Sequence, residues 1–385
     1  MAMRKAASTT TAEEPAATLA PKQAVRALSP YSQGKSSAEG FAEPIKLSSN
    51  ESPLGPSPRA IAAYHDAAAR LFRYPDGGQS ALRKAIGDIY GLDPTRIVCG
   101  NGSEELQLLL VRAFVSPSDE VICSEFSFIM GRIHAEAQGA TIVTAPEVDY
   151  RADADAILAR ITPKTRMIML ASPNNPVGDY MRRCEFERLV ENTPKHVIII
   201  YDGAYADYVD ASDYDNGFAL CDRAPNVVIT RTFSKLYGLA GLRIGWMYAD
   251  KSVIDAIERI RTPFNTNIAA LAAAEAAVRD TDYSAKVKAH NAIWLSRLTT
   301  TLRDLGYEVF PSVANFYLIR FSANGDFTAD QAAEFLLKRG VIPRPVSAGG
   351  PAGCLRITVG LDHENEAVID ALKEFAAHRA AARSV

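Results

Sequence analysis

From Ile97 onward the chain alternates short apolar runs with amphipathic stretches. "RIVCG" reads as a strand and "SEELQLLLVRAF" as the helix after it. "DEVICS" is a second strand, followed by "FIMGRIHAEAQG", a helix that ends on glycine. "ATIVTAP", "TRMIMLAS", "HVIIIYDG" and "NVVITRTFS" are further strands. Several are apolar without interruption, which suits strands covered on both faces. This alternation predicts an α/β domain with a mostly parallel sheet between helices. After Thr281 the pattern changes. The long helical stretch "SAKVKAHNAIWLSRLTTTLRDLG" leads into "YEVF", "NFYLIRF", a helix, "CLRITVG" and a final helix, which predicts a smaller α+β domain. The expected divisions are a disordered tail over 1–28, an arm over 29–55 packing with the smaller domain, a large domain over 56–280 and a small one over 281–385.

Ligands of open α/β sheets bind beyond the carboxyl ends of the strands, and polar groups stand at several such ends here. "CGNGSEE" (Cys99–Glu105) follows a strand and opens a helix, whose N-terminal N–H groups can take a phosphate. It also reads as a plain tight turn, or as a dinucleotide fingerprint that lacks its third glycine because Glu105 stands there. "SPNNPVG" (Ser172–Gly178) offers amides to a ring substituent, or is an Asn-Pro turn. In "YDGAY" (Tyr201–Tyr205), Asp202 ends an apolar strand. A carboxylate there needs a partner, and a protonated ring nitrogen would serve. A turn cap is the plainer reading, with the Tyr205 phenol three residues on. "RTFSKLYGLAGLRIGW" (Arg231–Trp246) holds one lysine, Lys235, between Ser234 and a run of small residues. A partly desolvated lysine near other cations becomes a nucleophilic amine suited to a Schiff base, although a single lysine is more often a solvated surface group. The succession of anion site, amide, carboxylate with phenol, lysine and then Arg243 supplies the parts that hold pyridoxal phosphate.

Composition removes rival classes. With 385 residues the chain can build a large core. Its net charge of -3 gives no basic excess for nucleic acid, and no apolar run approaches the ~20 residues that span a bilayer. The first residues carry no apolar signal core, and Glu13 and Glu14 argue against a transit peptide. The five cysteines form no CxxC pair and are expected to be reduced in a cytoplasmic protein. The six histidines show no HxxxH or HExxH spacing, so no metal site is expected.

On "LSSNESPLGPSP", "RYPDGG", "GNGSEE", "SPNNPVG", "DGAY", "RTFSKLYGLAGLRIG", "NFYLIRF" and "CLRITVG", the chain resembles the fold-type-I pyridoxal-phosphate aminotransferases over about residues 28–380. Within them it is most similar to the histidinol-phosphate aminotransferase family. The resemblance implies Lys235 as the Schiff-base lysine, Asp202 on the pyridine nitrogen, and Tyr205 and Asn175 on the ring oxygen. It implies Ser103, Glu104, Ser234 and Arg243 around the phosphate, and Phe128 stacked on the ring. Tyr74 would reach the cofactor of a second subunit in a homodimer. Arg356 would bind the α-carboxylate of glutamate, and Tyr31, Asn50 and Arg344 would line the substrate pocket, Arg344 meeting the substrate phosphate. The small-molecule substrates implied are histidinol phosphate and the glutamate/2-oxoglutarate pair. An aromatic amino acid aminotransferase and a decarboxylase on the same scaffold are the alternatives. Three positions depart from the family: Gly131 and Gly349, where aromatics are frequent and whose loss is expected to open the pocket or its entrance, and Gly203, where Glu or Ala is usual.

Overall fold

A computed structural model describes residues 19–382 except 324, 326, 347 and 348. Seven strands make the central sheet: β1 (Ile97–Gly100), β2 (Glu120–Ser124), β3 (Thr141–Ala145), β4 (Thr165–Ala171), β5 (Ile198–Asp202), β6 (Val227–Thr232) and β7 (Gly245–Tyr248). Across the sheet they lie in the order β1-β7-β6-β5-β4-β2-β3. All neighbours pair in parallel except β7, which runs against both β6 and β1. The α/β architecture is therefore the one the hydrophobic pattern predicts, with β7 added between two strands expected from it.

The uninterrupted apolar runs have a direct cause. Residues of one strand alternate between the two sheet faces, and both faces are covered. Ile199, Tyr201, Val227 and Ile229 enter one core, while Ile198, Ile200 and Val228 enter the other. In β5 every position is thus apolar until Asp202 at the strand end.

The second sheet is antiparallel, in the order Glu308–Val309, Phe316–Arg320, Cys354–Thr358, Arg344–Pro345. Tyr317, Ile319, Leu355 and Ile357 pack under the helices Thr281–Asp304, Ala329–Leu337 and Asp362–Ala382, which supply Leu298, Leu302, Leu336 and Leu372. The arm joins this core: Ile45–Lys46 pairs in parallel with Val341–Ile342, and Leu47 is buried in the same cluster. Of the segment expected to be a disordered tail, residues 1–18 lie outside the described residues. Within the remainder, Gln23–Arg26 form one helical turn whose Arg26 Nε donates to Pro21 O at 3.0 Å. The five cysteines are unpaired.

Candidate active site

One cavity of about 300 Å3 opens where the strands end. Every site residue expected from the sequence lines it, except Tyr74: Tyr31, Asn50, Ser103, Glu104, Phe128, Asn175, Asp202, Tyr205, Ser234, Lys235, Arg243, Arg344 and Arg356. Tyr74 stays outside, 81% exposed and stacked on Phe264 with ring centroids 4.7 Å apart.

The anion end is built by the turn after β1. The helix Gly102–Phe114 begins without a side-chain cap, and Asn101 Nδ2 donates to Asn265 O at 2.6 Å. The N–H groups of its first turn, at Ser103 and Glu104, carry the positive end of the helix dipole. Gly102 has φ +81°, and a Cβ there would stand 2.7 Å from Arg243 Nη2. Glycine is required at this position both by the backbone and by the guanidinium. Arg243 Nη1 in turn reaches Ser234 Oγ at 3.4 Å. Gly245 performs the same service from β7, since a Cβ there would meet Ser103 N at 2.4 Å.

Asp202, the last residue of β5, lies at the cavity floor. Thr230 Oγ1, from the register partner on β6, donates to its Oδ1 at 2.9 Å. Burial raises the Asp202 carboxyl above its ordinary value, against hydrogen bonds from Thr230 and Gln107. A cation held against it would reverse that shift. Lys235 follows the end of β6. Its Nζ donates to Ser49 O at 3.1 Å and lies 5.8 Å from the centroid of the Tyr205 ring. Burial pushes this amine down from 10.5 to about 7, with Arg356 adding to the effect. Such an amine is in good part unprotonated near neutral pH and able to act as a nucleophile. The Tyr205 phenol accepts from Asn50 Nδ2 at 2.9 Å, and burial raises its pKa above the ordinary value.

Two arginines close the other side. Arg344 and Arg356 are direct register partners on adjacent antiparallel strands. Arg356 Nη1 donates to Asn175 Oδ1 at 2.6 Å and Nη2 to Ser48 O at 2.8 Å, while its buried Nε has no partner. Burial lowers the pKa of this guanidinium, and the neighbouring Arg344 acts in the same direction. Arg344 Nη2 donates to Ser32 O at 2.8 Å. Phe128 meets Tyr31 edge to face at 6.1 Å.

The three glycine departures sort differently from expectation. Gly131 does not open the cavity. It is buried in the helix Ile129–Gln138, and a Cβ there would come 2.7 Å from Met169 Sδ, so a methionine from β4 fills the space. Gly349 does line the mouth, beside Ser127, Phe128 and Val346. At Gly203 a Cβ would strike Arg231 Nη1 at 2.4 Å. That guanidinium, 1% exposed, donates to Gly203 O at 3.0 Å and Asn216 O at 3.1 Å. Gly203 therefore leaves room for a buried arginine under the Asp202 peptide.

Sequence reasoning missed Gln107, Thr230, Ser49 and Glu51. Gln107 was findable, since it lies one helical turn after Ser103 and shares its face. Thr230 needed the β5–β6 register. Among the described residues no cluster of three His, Cys, Asp or Glu side chains is placed to hold a metal ion, and no helix is long and apolar enough to cross a membrane.

Comparison with known proteins bears on this geometry. Residues 42–372 match the family model described as aminotransferase class I and II. The histidinol-phosphate aminotransferase of Paramagnetospirillum magneticum is 47% identical over 356 residues, 92% of this chain and 98% of that protein. That of Nitrobacter hamburgensis is 46% identical over 360 residues, covering 93% and 99%. Among solved structures, the Sinorhizobium meliloti histidinol-phosphate aminotransferase in complex with pyridoxal-5'-phosphate superposes with a TM-score of 0.84 at 27% identity, covering 94% of this chain and 99% of that one.

Proposed function

The chain belongs to the class I and II aminotransferases, and from that membership we propose that it moves an amino group between histidinol phosphate and 2-oxoglutarate, giving imidazole-acetol phosphate and glutamate, in histidine biosynthesis. It is a pyridoxal-phosphate-dependent enzyme, and the cavity fits that cofactor on its own terms. The uncapped helix start with Gly102 and Arg243 forms a cradle that one added Cβ would fill. A buried carboxylate whose pKa is raised lines the cavity, and an amine of low basicity lines it too.

In this reading the backbone N–H groups of Ser103 and Glu104, with Ser234 and Arg243, hold the phosphate. Asp202 would pair with the ring nitrogen, Tyr205 and Asn175 would hold the ring oxygen, and Phe128 would stack on the ring. Bound pyridoxal phosphate supplies a conjugated ring that accepts the electron pair left when the substrate C–H bond breaks. Lys235 Nζ would hold the cofactor in the resting enzyme, and its amine would carry a proton to and from the substrate carbon. Tyr31 and Asn50 border the substrate. Arg356 binds the α-carboxylate of glutamate by its planar fork. Tyr74 crosses to the cofactor of a second subunit, which makes the active form a homodimer. The enzyme works in the cytoplasm, where unpaired thiols stay reduced.

The observation that carries the substrate is the Arg344–Arg356 pair facing one cavity. One carboxylate needs one arginine; a second is accounted for by a substrate that also bears a phosphate. A charge-assisted hydrogen bond of about 1.5–3 kcal/mol is at stake. Arg344→Ala should therefore lower kcat/KM for histidinol phosphate by about 10- to 100-fold and spare tyrosine and phenylalanine. Wild type preferring the aromatic amino acids, or an equal loss on all three substrates, would replace this reading with the aromatic aminotransferase.

A further inference from the structure

Behind the cavity wall lies a carboxylate that the reaction above does not use. Glu147 begins the short hairpin Glu147–Val148/Arg151–Ala152, and its side chain turns toward the two loops that carry Phe128 and Asn175. Its Oε1 accepts from Ser124 Oγ, from Phe126 N at 3.3 Å and from Asn174 Nδ2 at 3.3 Å. Asn174 Nδ2 also donates to Phe126 O, closing the ring of contacts. Phe126 is two residues before Phe128, and Asn174 is the neighbour of Asn175. On the other side of each loop the chain is also held: Asn174 N donates to Asp179 O at 2.8 Å, and Arg132 Nη2 to Ser124 O at 2.5 Å.

Asn174 thus joins the two loops directly, and Glu147, from a third segment, accepts from both of them. We propose that Glu147 is a positioning residue of the cofactor site, whose carboxyl group clasps the Phe126–Phe128 loop to the Asn174–Asn175 loop so that the Phe128 ring and the Asn175 amide are presented together. The inference rests on the pyridoxal phosphate reading of the cavity.

Two buried acceptors at the clasp, Glu147 Oε2 and Asn174 Oδ1, have no hydrogen-bond donor. A proton on the carboxyl supplies one, and burial indeed raises Glu147 from 4.5 to about 7. The charged groups facing it are Glu125, whose Oε2 accepts from Glu147 N and which opposes ionisation, and Arg132, which favours it. Asp179, at the far end of the Asn174 turn, is itself raised by burial. Since the closed clasp holds the proton more tightly than an open one would, the clasp is firmest below the ordinary value of 4.5, loosens progressively as pH rises from there to about 7, and loosens no further above it.

The test is pyridoxal phosphate affinity, read by absorbance titration from pH 5 to 8.5 in wild type, Glu147→Gln and Glu147→Ala, with visible circular dichroism of the bound cofactor. Glu147→Gln keeps a neutral clasp at every pH. The ratio of the wild-type to the Glu147→Gln dissociation constant should rise by about 3- to 10-fold as pH rises to about 7 and level off above it. Glu147→Ala should bind about 10-fold more weakly, with altered dichroism. A ratio that stays flat with pH would overturn the clasp, as would Glu147→Ala with unchanged affinity and dichroism. If Glu147→Ala does not fold, the Glu147→Gln ratio still decides. Failure of wild type to bind pyridoxal phosphate at all would instead sink the cofactor reading, and the clasp with it.

Discussion

At the scale of single residues, Lys235 is defined by what surrounds it more than by what it touches. Its amine donates to the Ser49 carbonyl, and burial with Arg356 nearby takes that amine down to about 7. The sign of the consequence follows from proton counting. Between about pH 7 and 10.5 the unfolded cofactor-free chain holds a proton on this amine that the folded chain has lost, so stability rises with pH across that window; below it the full cost of the buried charge is present. Urea denaturation of the cofactor-free protein at pH 7 and pH 9 should therefore show wild type gaining stability relative to Lys235→Ala. Equal shifts in the two proteins would mean that the amine is not buried as described. Lys235→Ala should keep the fold and abolish amino transfer.

At the scale of elements, the decisive piece is the start of the helix Gly102–Phe114. Gly102→Ala adds a Cβ at φ +81° and 2.7 Å from Arg243 Nη2, so both the turn and the guanidinium must move. Affinity for pyridoxal phosphate should fall by about 10-fold or more, while pyridoxal, which lacks the phosphate, should be affected less; equilibrium titration of both compounds checks this. The strand ends were legible because a strand buried on both faces stays apolar until it leaves the sheet, as "HVIII" does before Asp202. The strand β7 was hidden because "GWMY" follows a glycine-rich run with no helical pattern before it, and its antiparallel direction has no sequence signal of its own. Ile45–Lys46 is too short to show a period. Thr230 became visible as a partner of Asp202 only once the β5–β6 register was known. The Gly131 expectation failed for a packing reason: sequence cannot show that Met169, from another strand, occupies the space a side chain would take.

At the scale of the whole molecule, Tyr74 is exposed and stacked on Phe264 rather than turned into its own cavity. If it serves a second subunit, mixing Tyr74→Ala with Lys235→Ala and allowing subunits to exchange should restore activity, because a hybrid has one site free of both lesions. Confirmed exchange without returning activity would place Tyr74 outside the chemistry. The arm has a wider consequence. Asn50, at φ 54°, donates from its backbone to Thr358 Oγ1 at 2.9 Å and from its side chain to Tyr205 OH at 2.9 Å, and its carbonyl accepts from Asn315 Nδ2 at 3.0 Å. Ser48 and Ser49, just before it, hold Arg356 and Lys235. One short stretch of chain is therefore stitched to the smaller sheet, to Tyr205 beyond the end of β5 and to the reactive amine. Occupying the cavity should then quiet amide hydrogen exchange in Phe316–Arg320 and Cys354–Thr358, strands of that smaller sheet, because their local opening must first tear the stitching.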